Sequence, residues 1–164
     1  MIRIKRIVQQ TAIIAVLGGF FACQRDSQYH KSESIPVSGW EMNQTLYFQD
    51  SLKQDAPEQL GITIELRHNN LYPYQNLWLY VRTRCSNGFN RLDSINWKLS
   101  EPNGRWVGDG WGSLYHLTYK LQDINIPKSK NARWFVVEIQ HGLNDPVLKG
   151  IESIGVHVFT NKNN

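Results

Sequence analysis

The sequence predicts an all-β fold: a single antiparallel β-sandwich, jelly-roll-like, with about seven to nine strands following an N-terminal tether. Three features carry this expectation. From Trp40 onward, apolar and polar residues alternate over short runs, the period of a strand with one dry and one wet face. Gly, Pro, Asn and Asp recur between those runs, where turns need them. Helical periodicity is almost absent.

The chain has 164 residues, and its start serves targeting rather than folding. Residues 1–22 combine a basic opening (Arg3, Lys5, Arg6), an apolar stretch from Thr11 to Phe21 and small Ala22 before Cys23, the layout of a lipoprotein signal peptide. The apolar stretch falls well short of the roughly 20 residues that span a bilayer. Phe20, at the third position before the cut, suits an ordinary signal peptidase poorly, so a lipobox explains the cysteine better. A diacylglycerol on the Cys23 thiol and a palmitate-type chain on its freed amine bury more than one acyl chain, which gives stable membrane anchoring. The competing account is a free or disulfide-bonded cysteine in a cleaved secreted protein. Gln24 stands where an Asp would mark retention under the enterobacterial sorting rule, which by analogy favours the outer membrane.

Residues 23–39 are read as the lipidated N-terminus and a flexible tether, because Gln24 to Ser38 is polar and serine-rich. Residues 40–160 are read as one sandwich domain, a size that buries a single core. The strand-like runs are Thr45 to Gln49, Ile62 to Arg67, Leu77 to Arg84, Ile95 to Leu99, Leu114 to Leu121, Trp134 to Gln140 and Ile154 to Thr160. Ile62, Ile64 and Leu66 face opposite to Thr63, Glu65 and Arg67. Leu77, Leu79 and Val81 face opposite to Trp78, Tyr80 and Arg82, so both faces of that run are partly apolar and a central position is expected. Asn69-Asn70 with Pro73, Ser86-Asn87-Gly88, Pro102-Asn103-Gly104 and Asn144-Asp145-Pro146 supply the turns. The Trp40 to Asp50 region and the Ile154 run are expected as neighbours.

Charge and cysteine usage exclude several classes. The chain carries +4, but three of its eighteen Lys and Arg lie in the signal and none of its fourteen acids do, so fifteen cations face fourteen acids from Cys23 onward. A nearly neutral domain lacks the basic footprint that phosphate backbones demand, and nucleic acid is excluded as a partner. With Cys23 lipidated, Cys85 has no disulfide partner and is expected as a buried small hydrophobe rather than a nucleophile. No Gly-x-Ser-x-Gly, His-Glu-x-x-His, Cys-x-x-Cys or phosphate-loop pattern is present, so no catalytic residue, metal ligand or cofactor is assigned. An unrecognised hydrolase is the minority alternative. Glu138 and His141 are the nearest approach to a catalytic pair, with His116 or His157 as further members.

Three stretches give the chain a family resemblance. They are Leu71-Tyr72-Pro73-Tyr74-Gln75-Asn76-Leu77-Trp78-Leu79-Tyr80-Val81, then Trp106 to Tyr115, and Ile139-Gln140-His141-Gly142 continuing to Leu148-Lys149-Gly150-Ile151-Glu152-Ser153-Ile154-Gly155. In their order and spacing they resemble the gliding-motility lipoprotein family GldH of the Bacteroidetes. The resemblance implies a lipid-anchored envelope protein associated with gliding movement, without enzymatic activity or cofactor.

The same stretches supply the candidate contact residues Tyr72, Tyr74, Trp106, Asp109 and Trp111. Pro73 fixes its own φ and extends Tyr72, so two tyrosines flank a rigid turn that either closes a core or meets a partner. Gly108, Gly110 and Gly112 do not match a dinucleotide fingerprint. A bulge or tight hairpin leading into the Leu114 run is favoured, and a ligand loop with Asp109 at its tip is the alternative. Trp78, Trp97, Trp106 and Trp111 either stack on carbohydrate or fill the core. The favoured class is a non-catalytic accessory subunit that meets a protein partner through an exposed apolar patch or strand edge. A carbohydrate- or ligand-binding lipoprotein is the alternative.

Overall fold

The alternation becomes twelve strands in a computed structural model that describes residues 27–52, 59–121, 124–125 and 133–160. The signal segment and Cys23 lie outside the described residues. The strands are β1 (Ser27–Ser34), β2 (Trp40–Glu41), β3 (Leu46–Ser51), β4 (Gln59–Asn69), β5 (Asn76–Cys85), β6 (Asn90–Lys98), β7 (Asp109–Trp111), β8 (Leu114–Lys120), β9 (Ile124–Asn125), β10 (Trp134–His141), β11 (Val147–Leu148) and β12 (Ile151–Thr160). Their pairings are antiparallel.

One sheet runs β1-β12-β4-β8-β7, with β9 also on β4; the second runs β3-β10-β5-β6; β11 and β2 make a short ribbon. Without the short segments, the sheets are β1-β12-β4-β8 and β3-β10-β5-β6. Successive long strands then change sheet at every step except the β5–β6 hairpin. That is the double Greek key of a jelly roll.

The core follows from side-chain parity. Leu60, Ile62, Ile64 and Leu66 on β4 and Ile154, Val156 and Val158 on β12 point inward. They belong to one cluster with Leu77, Leu79 and Val81 on β5, Phe135, Val137 and Ile139 on β10, and Leu46 and Phe48 on β3. Burying each such aliphatic or aromatic side chain contributes about 1.5–3 kcal/mol. Cys85 is part of this cluster, and burial pushes its thiol up to about 11, so it packs as a small hydrophobe. β5 sits inside its sheet, as its two-faced pattern predicts, although Trp78 and Tyr80 on its outer face are surface residues.

Two expectations are corrected. Ser27 to Ser34, read as tether, form β1 and pair with β12 from Ser27↔Phe159 to Ser34↔Ser153, with a register shift between Ser27 and Tyr29. Backbone pairing carries this strand, since its outward side chains are polar. The Trp40 to Asp50 region does not neighbour the Ile154 run: β2 pairs β11 and β3 pairs β10, while β12 is flanked by β1 and β4.

The antiparallel order gathers the strand ends into two sets. At the lower end β1, β4, β6 and β10 begin and β3, β5 and β12 finish, with pairs Ser27↔Phe159, Trp134↔Ser51 and Arg84↔Asn90. The Tyr29 and Phe135 rings meet edge-on at 5.4 Å and lock the two sheets together there. At the upper end β4 finishes, β5 and β8 begin, β6 and β10 finish, and β12 begins.

Candidate functional site

The upper end is built on a cluster of rings. The inward alternation of β4 continues one step past Leu66 to His68, which is fully buried. The His68 imidazole stacks on Tyr115 at 5.4 Å and 19°, takes the Trp106 ring edge-on at 4.7 Å, and lies 5.9 Å from Tyr72. Its Nδ1 lies 3.3 Å from the Asn69 carbonyl, while Nε2 has no hydrogen-bond partner. Burial lowers the proton affinity of this imidazole, so it is neutral at pH 7.

The loop from β4 to β5 is held rigid above that cluster. Asn69 accepts the Leu71 amide through Oδ1 at 2.8 Å and the Tyr72 amide through its carbonyl at 3.2 Å. Gly150 has φ +81°, and a Cβ there would stand 2.1 Å from the Tyr72 nitrogen, so only glycine allows the β11–β12 turn to lie against this loop. Tyr72 is thereby buried; its hydroxyl donates to the Asn76 carbonyl at 2.8 Å, and burial raises its pKa. Tyr74 is exposed and donates to Asp145 at 2.7 Å, a bond that raises its pKa. Trp106 is half-buried and donates from Nε1 to Asn70 at 3.0 Å.

The glycine segment forms a tight hairpin. Asp109↔His116, Gly110↔Tyr115 and Trp111↔Leu114 pair β7 with β8, and Gly112, with φ +66°, opens the two-residue turn. Gly110 lies over the Tyr115 ring, where a Cβ would come within 2.9 Å. Trp111 at the hairpin tip is 94 % exposed, and Asp109 is exposed across from His116.

The structure therefore divides the five candidate residues. Tyr72 and Trp106 share the ring cluster; Tyr74, Asp109 and Trp111 lie on the surface around it. Sequence reasoning missed three further features of this end. His68 at the cluster's centre was legible by carrying the β4 alternation one residue further. Val37 and Leu71, 101 % and 73 % exposed, carried no periodic signal because they lie in loops. Val147 and Leu114 are also exposed at this end. Gly39, beside Val37, packs on Val147 and Leu148, which ties that loop to the rest.

The remaining candidates do not converge. Trp97 is buried, Trp78 lies on the outer face of the β3-β10-β5-β6 sheet, and Trp111 belongs to the other sheet, so the four tryptophans make no common platform. Glu138 and His141, three positions apart on one strand, point to opposite faces. Glu138 pairs with Arg84 on the outer face, whereas buried His141 reaches the Trp40 carbonyl at 3.2 Å from Nε2. His116 sits opposite Asp109, and His157 lies 5.3 Å from the His30 ring. Among the described residues no group of three His, Cys, Asp or Glu side chains is arranged to hold a metal ion.

Comparison with known proteins gives consistent matches. The family described as GldH lipoprotein matches residues 27–158. Gliding motility lipoprotein GldH of Flavobacterium johnsoniae is 28% identical over 94 residues, which are 57% of this chain and 58% of that protein. This chain thus spans somewhat over half the length of that relative. A protein of Christiangramia forsetii described as a gliding motility lipoprotein GldH homolog is 27% identical over 154 residues, 88% of this chain and 90% of its own. Among solved structures, a fructofuranosidase of Schwanniomyces occidentalis overlaps 86% of this chain and 35% of its own at 6% identity, with a TM-score of 0.43.

Proposed function

The chain belongs to the GldH lipoprotein family, and from that premise we propose that it is a non-catalytic envelope component, anchored through lipid on Cys23, that engages a protein partner through the upper end of its jelly roll. The observation that carries this reading is that five exposed apolar side chains, Val37, Leu71, Trp111, Leu114 and Val147, lie at one end of the sandwich. Monomeric domains seldom concentrate apolar surface in this way without a partner. Tyr74, Asp109 and Trp111 make the contact, and Tyr72 and Trp106 hold the loops beneath them. Aromatic anchors on rigid supports are the residues that dominate interface energies.

The anchoring part of the reading is supported by the lipoprotein family and by the lipobox before Cys23. Outer-membrane residence and a role in surface movement are part of the same proposal, the latter drawn from what the relatives are called. Buried neutral histidines, a buried thiol and a carboxylate committed to Arg84 favour a role without catalysis.

In-cell crosslinking of tagged full-length protein tests this. The native chain is expected to capture a defined envelope protein, and Leu71→Asp with Trp111→Asp is expected to lose it while staying in the membrane fraction. Capture unchanged by both substitutions would overturn the contact surface. Cys23→Ala is expected to abolish lipid labelling and membrane retention; unaltered fractionation would refute the anchor.

A further inference from the structure

We infer that the lower end of the sandwich rests on the headgroup layer of the membrane, with Trp134 seated at the interface and the upper end directed away from it. The inference rests on lipid at Cys23. The first described strand begins at Ser27, and only residues 24–26 stand between it and the lipidated residue in the sequence. Four residue steps span at most about 14 Å when fully extended. β1 itself, with eight residues, is about 26 Å long at the usual strand rise. A spacer about half the length of the first strand keeps Ser27 within about 14 Å of the lipidated residue and is too short to let the upper end face the bilayer in place of the lower.

The residues near Ser27 suit a headgroup layer. Tyr29, two positions into β1, packs on Phe135, and the residue before Phe135 on β10 is Trp134. Trp134 is 43 % exposed, and an indole with one apolar and one polar edge settles at a membrane surface. A groove of about 540 Å³ opens beside it, lined in part by Asp50, Ser51 and Val136. Arg133 is exposed next to Trp134, and its amide donates to Ser86 Oγ at 2.6 Å, which fixes the start of β10 to the β5–β6 turn. Arg133 and Asp50 together offer one cation and one anion, the complement of a zwitterionic phosphatidylethanolamine headgroup with its phosphate and ammonium.

Lipidated full-length protein in phosphatidylethanolamine-rich vesicles tests the orientation. Environment-sensitive dye on Trp134→Cys, on Asn90→Cys at the same end, and on Trp111→Cys at the other is read with headgroup spin-labelled lipids. The inference expects several-fold stronger quenching at 134 and 90 than at 111. Equal quenching at both ends, or none at either in protein that floats with the vesicles, overturns it and leaves the anchor intact. Protein that fails to float refutes the Cys23 lipid, and the orientation falls with it. The exposed Asn90 site serves as the second reporter should replacement of Trp134 disturb the fold.

Discussion

The two ends of this sandwich solve different problems with the same strands. At the lower end the β5–β6 turn is short and local: Gly88 donates to the Cys85 carbonyl at 3.1 Å, and Asn87 accepts the Phe89 amide at 3.0 Å. At the upper end several loops are stitched to one another, Asn69 to Gly150, Tyr74 to Asp145, Trp106 to Asn70 and Ile35 to Glu152. The local turn depends on its own residues, whereas these upper loops depend on loops distant in sequence. An end built this way holds exposed apolar side chains in a fixed arrangement, which lowers the ordering cost of binding.

Glycine substitution probes this contrast most strongly. Gly150→Ala meets both a positive φ and the Tyr72 backbone, so it is expected to lose about 3–5 kcal/mol or to prevent folding. Gly88→Ala has nearly the same φ, +87°, but open space around it, and is expected to lose only about 1–2 kcal/mol. Urea unfolding of the protein measures both, and equal losses would refute the claim that the upper loops are interlocked.

Acid should loosen the upper end next. Burial lowers the pKa of His68 and of His141, both near upper strand ends, below the ordinary value of 6.5. Between the folded and unfolded pKa values the unfolded chain binds more protons, so stability is fully present above pH 6.5 and is lost as pH falls below it. The urea midpoint should therefore drop from pH 7 to pH 5. His68→Phe, which removes the titrating ring but keeps an aromatic in the cluster, should flatten part of that slope; an unchanged slope would show that His68 is not a source of it.

The smallest expected effect on stability is at the surface. Trp111→Ala should leave unfolding within about 0.5 kcal/mol of the native chain, because a residue so exposed contributes little packing. Its partner capture should nonetheless fall, and a parallel loss of stability would mean that Trp111 serves the fold instead.

What was legible in the sequence followed the strength of the alternation. Ile62 to Arg67 and Leu77 to Arg84 announce core strands because each places three inward aliphatics in succession. β1 did not, because in Ser27 to Ser34 Tyr29 is the lone large apolar residue, and a polar strand at a sheet edge reads as a tether. Segments of two or three residues such as β2, β7 and β11 are too short to show a period. Tyr72 and Tyr74 were recognisable as a tyrosine pair around Pro73, but which one is buried depends on Gly150, far along the chain. Parity alone separates Glu138 from His141, since residues an odd number apart on a strand face opposite ways.

The position of β1 also has a mechanical consequence. Its lower end is the one nearest Cys23, the proposed anchor, and it runs antiparallel to β12 through seven register pairs. A pull between the membrane and a partner held at the upper end acts along the strand axis, so the ladder is loaded in shear and its backbone hydrogen bonds resist together. A pull across the strands would open them one at a time. A domain tethered in this way is suited to transmitting tension without unravelling from its first strand, and single-molecule pulling from Ser27 against Trp111 should need more force than pulling from Ser27 against Thr160.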